Sequence, residues 1–279
     1  MNDEDTRALL AGVIGWPIAH SKSPRLFDHW FAVLGIPGRY VPLAVQPEDF
    51  EAVLRALPKA GFRGANVTAP HKEMAFALAD DRTDRATAIG AANTLVFAAG
   101  GQVLADNTDA FGFFENLRAG AGGWDPSGAP GVVLGAGGAS LAVVYALLDA
   151  GVPSLTVVNR SRDRADALAS RFGPNVRTAD WADRGQVLGG AGLLVNTTVL
   201  GMTGKPALEI ALDRLPQEAV VHDIVYAPLE TPLLAAARAR GNIAVDGLGM
   251  LLHQARPGFR AWFGADPDVD AALRKAVLS

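Results

Sequence analysis

Apolar residues recur along this chain in two alternating rhythms. Short unbroken runs predict strands, and stretches with apolar positions three and four apart predict helices. Residues 11–15 form an apolar run that stops at Trp16-Pro17 and predict the first strand. Leu26, Phe27, Trp30, Phe31 and Leu34 then fall at helical spacing, and Gly35 ends the pattern. The first four of these are expected in the core. Ser23-Pro24 opens this helix, with serine as the cap and proline at the first helical position. Residues 40–45 and 64–68 predict two more strands, and helical patterns cover 48–57, 72–79 and 83–90. Thr94–Phe97 and Val103–Asp106 flank Gly100-Gly101 and predict a hairpin.

A run rich in glycine and proline, 120–131, marks a loop. Beyond it the rhythm resumes: strand 132–134, helix 140–150, strand 155–158, helix 162–172, then strands 193–195 and 220–222. This succession predicts an α/β fold with a parallel sheet and helices on both of its faces. Pro257-Gly258 interrupts the last helical pattern after Gln254 and predicts a kink or break. Neither an internal repeat nor a heptad pattern is present.

Composition narrows the classes. The chain has 279 residues, a hydrophobic fraction of 49% and a net charge of -4. That is enough for one large or two medium domains with real cores, and too apolar for disorder. No long basic tract is present, so a nucleic-acid partner is not expected. No cysteine is present, which excludes disulfides, a thiolate nucleophile and zinc-thiolate sites. Five histidines show no metal-ligand spacing. Residues 1–5 are acidic and lack the basic start of a secretory signal. The most apolar window, 132–150, is broken by Gly135, Gly137 and Gly138, so no membrane span is expected. A cytoplasmic protein is the expectation, as monomer or homodimer.

Two segments carry chemistry. In Asn66-Val67-Thr68-Ala69-Pro70-His71-Lys72, Asn66 and Thr68 are two apart and share one side of an extended segment. Pro70 ends the strand, and Lys72 opens the next helical pattern. An ammonium at a strand-to-helix junction beside neutral hydrogen-bonding groups suits proton donation to a sugar-like substrate; a surface lysine after a turn would look the same. The second segment, Val132 to Ser140, is an apolar strand running into Gly135-Ala136-Gly137-Gly138-Ala139 and then a helix. Gly135 permits a tight turn, and Gly137 lets a pyrophosphate approach free N–H groups. Ser140 stands where glycine or alanine is usual. The next strand ends in Asn159-Arg160-Ser161-Arg162-Asp163-Arg164, without the acidic residue that would bind a ribose 2′-hydroxyl. Guanidinium groups there favour a 2′-phosphate, hence NADP over NAD, unless they are only a solvated helix start.

Taken in order, Ser21-Lys22-Ser23-Pro24, Asn66 to Lys72, Ala92-Asn93-Thr94, Asp106-Asn107-Thr108-Asp109, Gly135 to Ser140, Asn159-Arg160-Ser161, and Asp246-Gly247-Leu248-Gly249-Met250 with Gln254 resemble the shikimate dehydrogenase family over nearly the whole chain. The resemblance implies two α/β domains with a cleft between them. A substrate-binding and catalytic domain would take residues 1–108 and 247–279, and a Rossmann-like NADP-binding domain with a parallel sheet would take 109–246. It implies reversible, NADPH-dependent reduction of 3-dehydroshikimate to shikimate, with Lys72 and Asp109 as the acid-base pair. Ser21 and Ser23 would bind the substrate carboxylate, helped by Tyr226. Asn66, Thr68, Asn93 and Gln254 would bond or frame the ring hydroxyls. Gly135, Ala136, Gly137, Gly138 and Ala139 would cradle the pyrophosphate, and Asn159, Arg160, Ser161 and Arg164 would take the adenosine end. Asp84, Ile224 and Gly247 would border the cofactor. Asp109 could also cap a helix, and Ala110 replaces a glycine common in the family, which would narrow backbone freedom. His71 is expected as a wall of the cleft, and Asp80-Asp81 with Asp84 as a solvated helix boundary. A quinate/shikimate dehydrogenase with relaxed cofactor use is the alternative, and a non-catalytic NADP-binding sensor a weaker one that retention of Lys72 and Asp109 disfavours.

Overall fold

A computed structural model describes residues 9–279; the acidic residues 1–5 lie outside them. The described chain divides into two compact units, one of residues 9–108 with Leu251–Ser279 and one of Asp109–Met250. Each is built on one six-stranded sheet.

In the first unit the strands are β1 (Leu9–Gly15), β2 (Gly38–Ala44), β3 (Phe62–Val67), β4 (Asp81–Arg82), β5 (Thr94–Phe97) and β6 (Val103–Asp106), in the order β2-β1-β3-β5-β6-β4. β1 pairs in parallel with both β2 and β3, so that Gly12 lies opposite Val41 and Ala65. β5 alone runs against its neighbours. Helices cover both faces, and β2 shows why. Tyr40 and Leu43 are an odd number of residues apart and so point to opposite sides. Tyr40 stacks on Phe27 of helix α1 (Ser23–Leu34), with ring centroids 3.8 Å apart. Leu43 joins Phe50 and Leu54 of α2 (Phe50–Ala56) in a core with Ile14, Val67 and Leu95. Leu26, Phe27, Trp30 and Phe31 are all buried. The segment 48–57 starts as a 3₁₀ turn, Pro47–Asp49, before α2 begins.

The second unit holds β7 (Gly131–Leu134), β8 (Leu155–Asn159), β9 (Val176–Asp180), β10 (Leu193–Asn196), β11 (Val220–Asp223) and β12 (Ile243–Val245), all parallel, in the order β12-β11-β10-β7-β8-β9. Counted within the unit, this is the 3-2-1-4-5-6 arrangement of a dinucleotide-binding fold, whose direction of winding reverses between β7 and β10. β7, β10 and β11 are buried at every position, as expected of strands covered on both faces.

Helices α3 (Lys72–Leu78) and α4 (Asp84–Ile89) complete the first part of the chain; α5 (Asp109–Gly120), α6 (Gly138–Asp149), α7 (Arg162–Phe172) and α8 (Pro232–Ala239) belong to the second unit. α9 (Leu248–Phe263) and α10 (Ala271–Leu278) follow. Of the kink or break expected at Pro257-Gly258, the break is corrected: α9 runs continuously through Pro257. An interior proline costs about 3 kcal/mol, but the same helix fully buries Leu252, Phe259 and Trp262, each contributing roughly 1.5–3 kcal/mol. Trp262 also donates its Nε1–H to the Leu95 carbonyl at 3.0 Å. Ala110 is simply the second residue of α5, and no non-glycine residue described has a positive φ. The short strands β4, β9 and β12 carry too little apolar periodicity to be read from sequence, whereas α8 has a legible start, Thr231 as cap followed by Pro232, and buries Leu233, Leu234 and Ala237 at helical spacing. Among the described residues, no helix is long and apolar enough to cross a membrane, and no cluster of His, Asp and Glu could hold a metal ion.

Candidate active site

In the first unit three of the polar candidates, Asn66, Asn93 and Gln254, belong to one buried network. Asn66, near the end of β3, donates from Nδ2 to the Asn93 carbonyl and to Thr94 Oγ1, both at 3.1 Å, and its Oδ1 accepts from the Tyr40 hydroxyl at 2.7 Å. Both of its donors are therefore used inside the protein, so Asn66 frames the site. Burial drives the Tyr40 phenol well above its ordinary pKa, while its bond to the Ser23 hydroxyl works the other way. Asn93 Oδ1 accepts from the Thr108 N–H at 2.7 Å and the Thr108 hydroxyl at 3.1 Å, and Asn93 Nδ2 donates to Gln254 Oε1 at 3.1 Å. The Lys72 carbonyl, at the start of α3, accepts from the Ala92 N–H at 2.9 Å. The segment 92–93 thus fastens both the helix that begins with Lys72 and the residue that precedes Asp109. Thr68 anchors itself through backbone bonds to Ile14 and His71, is half-buried, and its hydroxyl has no partner among the described residues. That hydroxyl is thereby available to a ligand.

Three expectations need correction here. Ser23 is the first residue of α1 and not its cap; the Ser21 hydroxyl accepts from the Ser23 N–H at 3.3 Å. Pro24 therefore stands second in the helix, and the cap position falls on Lys22, whose side chain makes no capping bond. His71 is no wall residue: it is fully buried, stacked on Phe50 at 4.7 Å, with Nε2 2.8 Å from the Val45 carbonyl. Asp80 is not merely solvated. It pairs with Arg55 at 3.0 Å and accepts from the Val103 N–H, and that backbone bond leads in holding its carboxyl below the usual range.

In the second unit the glycine turn sits at the switch point between β7 and β10. Gly135 has φ 111°, and a Cβ there would lie 2.5 Å from Thr197 Oγ1, so only glycine fits. Thr197 donates to the Leu134 carbonyl at 2.7 Å, Ser140 lies 2.6 Å from Thr197, and Ser140 Oγ accepts from the Gly137 N–H at 3.1 Å. Ser140 thus ties the turn to β10, which accounts for a hydroxyl at that position. Ala136 and Ala139 are half-buried, whereas Gly137 and Gly138 are exposed, and at either one a Cβ would meet no atom within 4 Å. A bare backbone at the start of α6 fits a pyrophosphate. At the end of β8, Asn159, Arg160, Ser161 and Arg164 line a surface hollow of about 370 Å³. Asn159 Nδ2 holds the turn through the Ser161 carbonyl at 2.9 Å. Arg162 is taken up by Asp166 and Asp180, while Arg160 and Arg164 are exposed and have no ion-pair partner among the described residues. Two free guanidiniums beside a bare helix start fit the phosphates of NADP.

Gly247 lies against Ile224 so closely that a Cβ would stand 2.1 Å from the Ile224 carbonyl oxygen, which brings these two candidates together. Tyr226, on the loop after β11, belongs to the second unit, whereas Ser21 and Ser23 belong to the first; burial raises its phenol above the ordinary value. Asp84 is exposed at the start of α4 and belongs to the first unit, the other cofactor candidates to the second.

Residues 13–95 match the family model for the shikimate dehydrogenase substrate binding domain, 125–203 that for shikimate/quinate 5-dehydrogenase, and 247–278 that for the shikimate 5′-dehydrogenase C-terminal domain. A protein of Paramagnetospirillum magneticum called shikimate dehydrogenase (NADP(+)) is 58% identical over 273 residues, 98% of this chain and 99% of that one. The chain belongs to the shikimate dehydrogenase family. Among solved structures, the shikimate 5-dehydrogenase of Thermus thermophilus in complex with NADP(H) and shikimate matches this family member with a TM-score of 0.86 and 38% identity over 97% of this chain and 98% of that one. The quinate dehydrogenase of Corynebacterium glutamicum in complex with NAD matches with a TM-score of 0.90 and 33% identity over 97% and 99%.

Tyr40, Thr108 and Thr197 hold the site together without standing out in the sequence. Thr108 has one signal, its place beside Asp109 in the Asp106-Asn107-Thr108-Asp109 motif. Tyr40 and Thr197 become visible only when distant strands are paired.

Proposed function

We propose that this chain catalyses the reversible reduction of 3-dehydroshikimate to shikimate with NADPH, in the cytoplasm, as a step toward aromatic compounds. The observation that carries this reading is identity of 58% across essentially its full length with a protein called shikimate dehydrogenase (NADP(+)). NADPH, when bound, supplies the hydride. The chain's own residues do the remainder. Ser21 and Ser23, helped by Tyr226, hold the substrate carboxylate. Thr68, Asn93 and Gln254 meet the ring hydroxyls, and Asn66 keeps Asn93 and Thr94 in place. Negative charge develops on the ring oxygen as the ketone is reduced, and the Lys72 ammonium stabilises that charge and gives its proton to that oxygen. In the oxidation direction neutral Lys72 accepts the proton, and Asp109 is its partner in the acid-base chemistry. Gly135 to Ala139 receive the pyrophosphate, Asn159, Arg160, Ser161 and Arg164 the 2′-phosphate and adenosine, with Ile224, Gly247 and Asp84 at the cofactor's border.

The test is steady-state formation of NADPH from shikimate, repeated with Lys72→Ala. That substitution should lower kcat on the order of 10²–10⁴-fold while substrate binding is largely retained; an unchanged kcat removes Lys72 from the mechanism. The likeness to a quinate dehydrogenase bound to NAD supports one second reading, quinate/shikimate dehydrogenase activity with relaxed cofactor use. Turnover of shikimate and quinate with NADP⁺ and NAD⁺ separates the two: the first reading requires shikimate with NADP⁺ to exceed the other three pairings clearly.

A further inference from the structure

The second unit contains a buried polar cluster that the mechanism above does not use. Asn116, on α5 and seven residues beyond Asp109, donates from Nδ2 to the Asp246 carbonyl at 2.7 Å, and the same nitrogen lies 3.0 Å from His222 Nε2. A carbonyl can only accept, so the nitrogen of Asn116 is fixed as the amide donor, and its second hydrogen points at the imidazole. His222 Nε2 must then be the acceptor and the ring must be neutral, with its proton on Nδ1. The ring is fully buried and stacked on Phe113 at 4.7 Å and 10°. The other end of the amide is equally constrained. A Cβ on Gly249 would lie 1.8 Å from Asn116 Oδ1, so only glycine admits the amide there.

One side chain thus fastens three elements: α5, the strand β11 that leads from His222 to Ile224, and the turn that opens α9. That turn is held from several sides. Asp246 Oδ1 accepts from the Leu248 N–H at 3.0 Å, the Gly247 N–H reaches the Val225 carbonyl at 3.3 Å, and Gly247 presses on the Ile224 backbone. We infer that Asn116 and His222 are positioning residues for the cofactor side of the reaction, which set the Gly247–Ile224 contact that borders the cofactor. This rests on the proposed function, which puts Ile224 and Gly247 at the cofactor's border. The imidazole acts as a shaped, uncharged acceptor and takes no part in proton transfer.

His222→Phe keeps the stack on Phe113 but removes the acceptor. His222→Gln offers Oε1 to the same Asn116 hydrogen. Gly249→Ala pushes the amide away without altering either polar group. His222→Phe and Gly249→Ala should lower kcat/KM for NADP⁺ about tenfold, leave KM for shikimate within twofold, and raise the primary deuterium isotope effect with shikimate labelled at the carbon that loses hydride. His222→Gln should recover most of the loss. A purely structural role would leave the isotope effect and the split between the two KM values untouched, and that result overturns the inference, as does a His222→Gln enzyme no better than His222→Phe. Calorimetric binding of NADP⁺ needs no turnover and keeps the two claims apart. If the native chain fails to oxidise shikimate, the proposed function falls, and the positioning role is judged by NADP⁺ affinity alone. An affinity about tenfold weaker in His222→Phe than in the native chain upholds it, and an equal affinity overturns it.

Discussion

In the first unit two of the groups proposed to recognise substrate, Asn93 and Gln254, are held in a buried network with Tyr40, Asn66 and Thr108, whose bonds are made before any ligand arrives. In the second unit the groups proposed to recognise the cofactor are bare backbone at Gly137 and Gly138 and two exposed guanidiniums, Arg160 and Arg164. The difference follows from what is bound. A small ring with several hydroxyls is distinguished by fixed donors and acceptors, whose orientation must be set in advance in a low-dielectric interior. A phosphate is distinguished by charge, which long solvated side chains and a helix start can meet from the surface. The two kinds of site should therefore fail differently. Damage to the first should appear as lost stability, and damage to the second as lost affinity.

The largest effect separating them is expected from Asn66→Leu. It removes one buried hydrogen bond from each of the Tyr40 hydroxyl, the Asn93 carbonyl and Thr94 Oγ1, which keep their bonds to Ser23, the Val67 N–H and Thr108. A buried hydrogen bond contributes about 0.5–1.5 kcal/mol net, so loss of the three should show in denaturant unfolding as roughly 1.5–4.5 kcal/mol. A loss under about 1 kcal/mol would mean that the network is not a source of stability, and the contrast with the second unit would collapse.

Acid supplies the next effect, inside the second unit. Burial lowers the His222 pKa from 6.5 to about 3. Between those values the unfolded chain carries a proton on this ring and the folded chain does not, so stability falls as pH falls, by about 1.4 kcal/mol per pH unit from this group. Asp223 works against it, because burial raises its carboxyl pKa. The comparison that isolates the histidine is therefore native chain against His222→Gln, in which the contribution of Asp223 cancels. The variant should show the shallower loss of stability from pH 6.5 downward, measured by urea unfolding; parallel curves would show that the ring is protonated in the folded state.

The two sites also differed in how legible they were. The glycine turn could be read because its function is a backbone property that leaves a mark in sequence: Gly135 alone fits at φ 111° beside Thr197. Lys72, Asp109 and the serines could be named because they stand in short motifs. The chain gave no warning that Asn66 would spend both its donors on Asn93 and Thr94, since that depends on β3 pairing antiparallel with β5. His71 was misread for the same reason. Its neighbour Lys72 suggested a cleft, but its own ring is claimed by Phe50 and the Val45 carbonyl, residues more than twenty positions away. At Pro257 the local rule predicts a kink or break, and the break is absent because the aromatic packing of the same helix outweighs the proline.

Within the basic cluster, Arg160→Ala and Arg164→Ala should each raise KM for NADP⁺ roughly tenfold, with little change for NAD⁺ and little change in unfolding. The penalty should shrink as salt is added, since exposed charges are screened within about 8–10 Å at physiological ionic strength. A penalty shared equally by NADP⁺ and NAD⁺ would place these guanidiniums elsewhere than at the 2′-phosphate.

The smallest effect makes the finest distinction. Arg162 lies between Arg160 and Arg164 in sequence, and composition alone gives all three the same role. The structure separates them, because Arg162 Nε lies 2.9 Å from Asp166 and its Nη1 lies 3.0 Å from Asp180. Hydrogen bonds to Asp166 and then to Asp180 hold its guanidinium above its ordinary pKa, while Asp166 is drawn below its own range first by Thr178 and then by Arg162. A guanidinium whose fork already faces two carboxylates has no second fork to offer a phosphate. Both pairs are exposed, and such pairs contribute little to stability. Arg162→Ala should therefore change KM for NADP⁺ by less than about twofold and move Tm by no more than about 2 °C. A tenfold rise in KM would show that Arg162 leaves its carboxylates when NADP⁺ binds, and the basic cluster would then act as one pool of charge with no division of labour among its members.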